Sequence, residues 1–259
     1  MLKKILFVVL ISLSINITAQ LPTIIAHRGA SNLAPENTLA STMLAWELGA
    51  QAVECDIWLT KDMKVVVFHD KKGKRLTGYN FLINEVNYTD IKNYAVILSK
   101  TNLKKYTGEK IPLLENLLST VPDDRTLVIE IKTGPEILPC LKQVLDMYWK
   151  SGKINFIAFD FDAIMEAKKL YPDIPCYYLS AFKADINKKF DVIAKSELNG
   201  VSLRYQIITP ELVKKFRELG KNVACWTVDN PEDAKMLIDA GVVAITTNRP
   251  KWLKEQLEN

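Results

Sequence analysis

The chain has 259 residues, of which 48% are hydrophobic and 25% charged, and its 34 basic and 30 acidic side chains leave a formal net charge of +4. This is ordinary globular composition, which excludes a disordered, collagenous or disulfide-packed miniprotein class. Only two histidines occur, His27 and His69, so any imidazole chemistry must use those two.

From the N-terminus, Met1-Leu2-Lys3-Lys4 is a short basic start, followed by an apolar run from Ile5 to Ile17 and then Thr18-Ala19-Gln20. This is the pattern of a secretory signal peptide, with small Ala19 as the last residue removed. The run is too short for a comfortable membrane span. The expected product is an exported chain, periplasmic or secreted, with residues 20–259 as one domain and no stable membrane span after cleavage. Cleavage removes Lys3 and Lys4 and no acid, which halves the net charge. No basic block remains that would imply nucleic acid. The four cysteines, Cys55, Cys140, Cys176 and Cys225, form no CxxC motif. They are read as small buried hydrophobes.

The rest of the chain alternates short apolar or β-branched runs with helical stretches. The strand candidates are Thr23–Ala26, Ala52–Leu59, Leu127–Ile131, Ile154–Phe159, Cys176–Leu179, Gly200–Leu203, Asn222–Val228 and Val243–Thr246. Between most of them lie predicted helices: Thr38–Leu48, Pro135–Trp149, Phe161–Leu170, Pro210–Leu219, Pro231–Asp239 and Pro250–Leu257. Several open on Pro, which suits a first helical turn because its missing N–H has no partner there. Gly220 and Gly241 sit where C-terminal caps belong. Strand–helix alternation argues for βαβ units and a parallel sheet, and eight strands in a chain of this length fit a TIM (β/α)8 barrel. An open doubly wound sheet gives the same alternation, but no GxGxxG follows the first strand. A further strand-like run, Val65–His69, and a polar segment of about 70–110 break the rhythm. The segment of about 70–110 reads as a small insertion after the second strand, placed where a lid would sit, with a short helix around Tyr88–Tyr94. Its basic cluster, Lys71, Lys72, Lys74 and Arg75, reads as a solvated turn.

The chemistry concentrates at strand ends. Glu54 and Asp56 share one face of a strand because side chains alternate. Two carboxylates inside a barrel repel each other, and a divalent cation is the simplest remedy. Carboxylate oxygens favour Mg2+ or Ca2+. Glu130 and Lys132 repeat the spacing on another strand, and barrel strand ends converge at one rim. His27-Arg28-Gly29 follows the first strand: Arg28 offers a planar fork of donors for phosphate, and Gly29 permits close backbone approach. His69-Asp70 ends the Val65–Phe68 run, so two imidazoles can divide acid and base duty. In Pro35-Glu36-Asn37-Thr38, Asn37 or Thr38 is an N-cap, and Glu36 is either functional or a complement to the helix dipole. Trp226, at a late strand end, is either a pocket wall or core.

Taken in order, these pieces resemble the glycerophosphodiester phosphodiesterase family, in an exported bacterial-type form. The resemblance runs from His27-Arg28-Gly29 through Pro35-Glu36-Asn37-Thr38, Glu54-Cys55-Asp56, Phe68-His69-Asp70, Ile111-Pro112-Leu113-Leu114-Glu115 and Ile129-Glu130-Ile131-Lys132. It closes on Trp226-Thr227-Val228-Asp229 and Thr246-Thr247-Asn248-Arg249-Pro250. It implies a TIM barrel, one divalent cation on Glu54, Asp56 and Glu130, an acid/base pair in His27 and His69, and a substrate bound by Arg28, Lys132, Trp226 and Glu36. It also implies hydrolysis of a small-molecule glycerophosphodiester to sn-glycerol 3-phosphate and an alcohol. In that chemistry the glycerol 2-hydroxyl attacks phosphorus, the histidines move the protons, and water opens the cyclic phosphate. Asn248 and Ala158 stand where the family often has Asp and Ser, and both departures read as lying outside the catalytic set. Two alternatives remain: a phospholipase C- or D-like enzyme acting on lipid or lysolipid, and a non-catalytic phosphate- or polyol-binding barrel.

Overall fold

The computed structural model describes residues 21–97 and 104–258. The expected signal peptide lies outside them. Nine strands are present among the described residues: β1 (Thr23–Ala26), β2 (Ala52–Leu59), β3 (Val65–Val67), β4 (Thr126–Ile131), β5 (Lys153–Ala158), β6 (Cys176–Ser180), β7 (Gly200–Arg204), β8 (Asn222–Trp226) and β9 (Ala244–Thr247). Eight of them pair in parallel, and β1 pairs with both β2 and β9, which closes the ring. The fold is a TIM barrel. β3 lies outside the ring, antiparallel to the far end of β2.

The expected strands sit in place, with ends shifted by one or two residues. The expected helix Pro135–Trp149 is instead a 3-10 turn, Pro135–Ile137, running into an α-helix, Leu138–Tyr148. Pro139 in the first turn of that helix lacks the N–H a continuous helix would use. The helix Lys183–Lys195 between β6 and β7 has no counterpart in the expected elements. Ile186, Phe190 and Ile193 form its core face at helical spacing, but it has no side-chain N-cap, no Pro at its first turn and no Gly past its last to mark its ends. Leu114–Leu118 is likewise an unexpected short helix.

Three apolar clusters follow from strand alternation. One face of each strand packs outward against the helices and forms the main core. The barrel interior holds a smaller cluster, Ile25, Ala52, Val128, Ile157 and Leu179. The insertion has its own core of Val66, Phe68, Leu76, Ile83, Ile91, Val96 and Ile111. Of the insertion's apolar residues, Ile83 is buried, Phe81 and Leu82 are half-buried and Tyr79 is exposed. Cys55, Cys176 and Cys225 are buried and Cys140 half-buried, all four as free thiols. No helix among the described residues is long and apolar enough to cross a membrane.

Candidate active site

Parallel register sets the carboxylates together. Asp56 on β2 lies beside Glu130 on β4, and Glu54 lies two residues back on the same inward face. Ligand oxygens of Glu54, Asp56 and Glu130 all fall within 4.8 Å of one another. Burial and the neighbouring Asp56 and Glu130 charges push Glu54 well above the usual carboxylate range. Burial and Asp56 push Glu130 to about 7, against the pull of Lys132. Burial alone would raise Asp56 too, but Lys132 and Arg28 outweigh it and hold this acid low. Glu54 Oε1 and Asp56 Oδ1 are buried with no hydrogen-bond partner among the described residues. Asp56 Oδ1 has only the ion-pair contact with Lys132 Nζ at 3.3 Å. Buried, mutually repelling carboxylates with unused oxygens are a donor set that fits a hard divalent cation.

Two residues in left-handed backbone anchor this cluster. Arg28 has φ 55° and Asn37 φ 58°, unusual values for non-glycine residues. The Arg28 N–H donates to Glu54 Oε2 at 2.9 Å, and its carbonyl accepts from the Asn37 N–H at 3.0 Å and from Ser41 Oγ at 3.0 Å. Asn37 in turn grips Asp56 twice: its Nδ2 donates to Asp56 Oδ2 at 2.7 Å, and its Oδ1 accepts from the Asp56 N–H at 3.1 Å. Thr38, not Asn37, is the N-cap, accepting from the Ser41 N–H. Gly29 answers its sequence reading, since a Cβ there would lie 2.5 Å from the Ser41 carbonyl carbon.

The two histidines, from the ends of β1 and β3, line one cavity of about 180 Å3 with Arg28, Glu54, Glu130 and Lys132. His27 Nδ1 meets Asn248 Oδ1 at 2.7 Å. The Asn248 amide is oriented by Asp229, which accepts from Nδ2 at 2.6 Å and from the backbone N–H at 2.8 Å. A carbonyl oxygen facing the ring makes Nδ1 the protonated nitrogen and leaves Nε2 as an acceptor. Burial and Arg28 lower His27 to about 4. His69 Nδ1 contacts Asp70 Oδ1 at 2.6 Å. Burial also lowers His69, while Asp56 and Asp70 pull it back up. Lys132 Nζ donates to Glu130 Oε1 at 2.7 Å.

The opposite wall is apolar: Ile157, Leu179, Phe159 and Trp226. Trp226 stands edge-on to Phe159, ring centres 5.4 Å apart, and its indole N–H donates to the Ser202 carbonyl at 3.0 Å. Glu36 does not line the cavity; its oxygens accept from Arg28 and Arg75.

Two expectations change. Asn248 does not stand apart from the histidines, because it contacts His27 directly across a gap of more than two hundred residues. Arg75 is not a merely solvated member of a basic turn, since it binds both Glu36 and Asp70. Ala158 does lie away from the cavity, fully buried on the outward face of β5. Sequence reading missed Asn37, Arg75 and Asp229 as site residues. The available signal was an Asn beside Glu36, a residue type that tolerates left-handed backbone.

The family model for the glycerophosphoryl diester phosphodiesterase family matches residues 27–252. A glycerophosphodiester phosphodiesterase of Caldanaerobacter subterraneus subsp. tengcongensis is 32% identical over 89% of this chain and 95% of its own length. Among solved structures, an Oleispira antarctica phosphodiesterase in complex with the product sn-glycerol-3-phosphate is 27% identical, with a TM-score of 0.82 over 92% of this chain and 98% of its own. A glycerophosphodiester phosphodiesterase from Thermotoga maritima is 26% identical, with a TM-score of 0.72 over 91% and 98%.

Proposed function

The chain belongs to the glycerophosphoryl diester phosphodiesterase family and is a phosphoric diester hydrolase, and from that premise we propose that it cleaves glycerophosphodiesters to sn-glycerol 3-phosphate and an alcohol, using a divalent cation and two histidines. The observation that carries this reading is the convergence of three buried carboxylates, two histidines, Arg28 and Lys132 on one cavity. The product bound to the Oleispira antarctica neighbour supports the same substrate class.

Glu54, Asp56 and Glu130 would hold the cation, Ca2+ or Mg2+, as hard oxygen donors. When bound, it supplies polarisation of a phosphoryl oxygen and a lowered pKa for a nearby hydroxyl. Arg28 and Lys132 face the same cavity with fixed positive charge and stabilise negative charge gathering on the phosphoryl oxygens. His27, neutral and protonated on Nδ1, presents Nε2 as the base that takes the glycerol hydroxyl proton. His69, on the facing side of the cavity and held at Nδ1 by Asp70, is the acid that protonates the leaving alcohol. The Phe159 and Trp226 wall excludes water and packs against substrate carbon.

The experiment is release of choline from glycerophosphocholine and, as comparator, from lysophosphatidylcholine, with sn-glycerol 3-phosphate followed as the second product of the former, before and after EDTA and with Ca2+ or Mg2+ restored. The reading expects turnover of glycerophosphocholine that chelation abolishes and cation restores. Turnover that ignores chelation removes the cation from the proposal, and preference for the lysolipid moves the enzyme to the lipid-acting alternative. We also propose that residues 1–19 direct export and are removed, leaving residues 20–259 as one barrel domain in the periplasm or outside the cell. Support comes from the basic start, the apolar run and Ala19. N-terminal sequencing of the exported protein tests it.

A further inference from the structure

We propose that Arg75, a residue of the insertion that does not line the cavity, is a positioning residue that sets His69 and Arg28 together. This rests on the phosphodiesterase reading for the roles of those two groups. The guanidinium uses four hydrogen bonds on two carboxylates. Nε donates to Asp70 Oδ2 at 2.6 Å and Nη2 to Asp70 Oδ1 at 2.9 Å. Nη1 donates to Glu36 Oε2 at 3.0 Å and Nη2 to Glu36 Oε1 at 2.8 Å. Each carboxylate then passes the constraint inward. Asp70 Oδ1 meets His69 Nδ1 at 2.6 Å, and Glu36 Oε1 accepts from Arg28 Nη1 at 2.8 Å.

The arrangement joins two separate loops, the one between β1 and the helix Leu39–Glu47 and the one after β3. Arg28 follows β1, Glu36 precedes the helix Leu39–Glu47, and Asp70 follows β3. β2 holds the backbone of both loops, through Asn37 and Phe68 on Asp56 and through Trp58 on the His69 carbonyl, and Arg75 is the side chain that joins the Glu36 and Asp70 carboxylates. Planarity matters, because the fork pairs bidentately with each of two carboxylates at once, whereas an ammonium offers them a single nitrogen. The base of the fork is itself anchored. Arg75 sits in the short helix Lys74–Thr77, whose Leu76 is buried in the insertion core and whose Thr77 Oγ1 donates to the Gly73 carbonyl. The insertion therefore acts on the reaction through one side chain, by orienting an imidazole and a phosphate-binding guanidinium that it does not touch.

The test uses the full exported chain with cation present, as wild type, Arg75→Ala, Arg75→Lys and, as control, Lys71→Gln at an exposed position of the same loop. Both Arg75 variants should lower kcat by up to about a hundredfold, the cost of a small misplacement of catalytic groups. KM should also rise, because Arg28 loses its alignment with phosphate. Guanidinium at non-denaturing concentration should restore much of the activity of Arg75→Ala and leave wild type unchanged. Lys71→Gln should match wild type. With only two histidines in the chain, the ring 15N signals of His69 are resolved without substrate and should shift in both Arg75 variants. That reading stands apart from turnover, so a wild type inactive on glycerophosphodiesters would refute the substrate assignment while Arg75 is still tested. Wild-type kcat and KM in Arg75→Lys, or unmoved His69 signals in both variants, would overturn the proposal. If Arg75→Ala does not fold, Arg75→Lys carries the same test.

Discussion

Replacing Glu130 with Gln should make the cation-free protein more stable than wild type at neutral and alkaline pH. Glu130 is held at about 7 in the fold against 4.5 for the free side chain. Its side chain is only 11% exposed, so solvent screens it little. At 1.36 kcal/mol per pH unit, the protonated form in the fold is favoured by about 3 kcal/mol. The folded pKa is raised, so this contribution is complete below 4.5 and is lost as pH rises through 7. His27 works in the opposite sense, because its folded pKa is lowered to about 4 from 6.5 and its contribution is lost as pH falls through that window. The two offset each other in wild type between about 4.5 and 6.5, so the informative quantity is the difference between Glu130→Gln and wild type, in which His27 cancels. In a domain of this size about 3 kcal/mol is worth roughly 6–12 °C in Tm. Thermal unfolding in EDTA from pH 5 to pH 8 should show the Tm difference growing in favour of the variant by that amount. Saturating Ca2+ or Mg2+ should reverse the order, since about 1,000-fold excess over Kd adds about 4 kcal/mol to the wild type and the variant has lost one ligand. A Tm difference that stays flat with pH, or a variant that gains as much from cation as wild type, would refute the reasoning.

Other outcomes follow from the same geometry. His27→Ala and His69→Ala should each lower kcat by about 10²–10⁴-fold while the variants still bind cation, read by steady-state kinetics beside calorimetric titration. Gly29→Ala should disrupt the site, because its φ of +80° and the Ser41 backbone leave no room for a Cβ; a loss of a few °C or more in Tm together with activity is expected. Asn248→Asp puts a carboxylate against His27 Nδ1 in place of a neutral amide. It should raise the His27 pKa and move the acidic limb of the kcat/KM profile upward, and it should cost stability, because Asp229 Oδ2 exchanges a donor for a like charge.

The barrel was legible from sequence because each strand and most helices carry their signals locally. Apolar runs of four to eight residues, a Pro at a first turn and a Gly past a last turn are all short-range features. The helix Lys183–Lys195 escaped because neither a capping side chain, a Pro nor a Gly marks its ends. Pairing Glu54 with Asp56 was equally local, since strand alternation alone puts them on one face. The insertion's position was also visible, but not its separate core, because which of Phe68, Leu76 and Ile83 face each other depends on how the segment folds back.

What the sequence by itself determined, then, was the inventory: eight strands, two histidines, three inward carboxylates, and an arginine and a lysine beside them. Only the tertiary structure decided what each group touches. Parallel register brings Asp56 beside Glu130 across two strands, and ring closure sets His27 against Asn248 from opposite ends of the chain. The fold of the insertion brings Arg75 to Glu36 and Asp70. Hydrogen bonds and ion pairs act over a few ångströms, so proximity in space governs them, and a residue's type announces neither its partner nor the direction of its pKa.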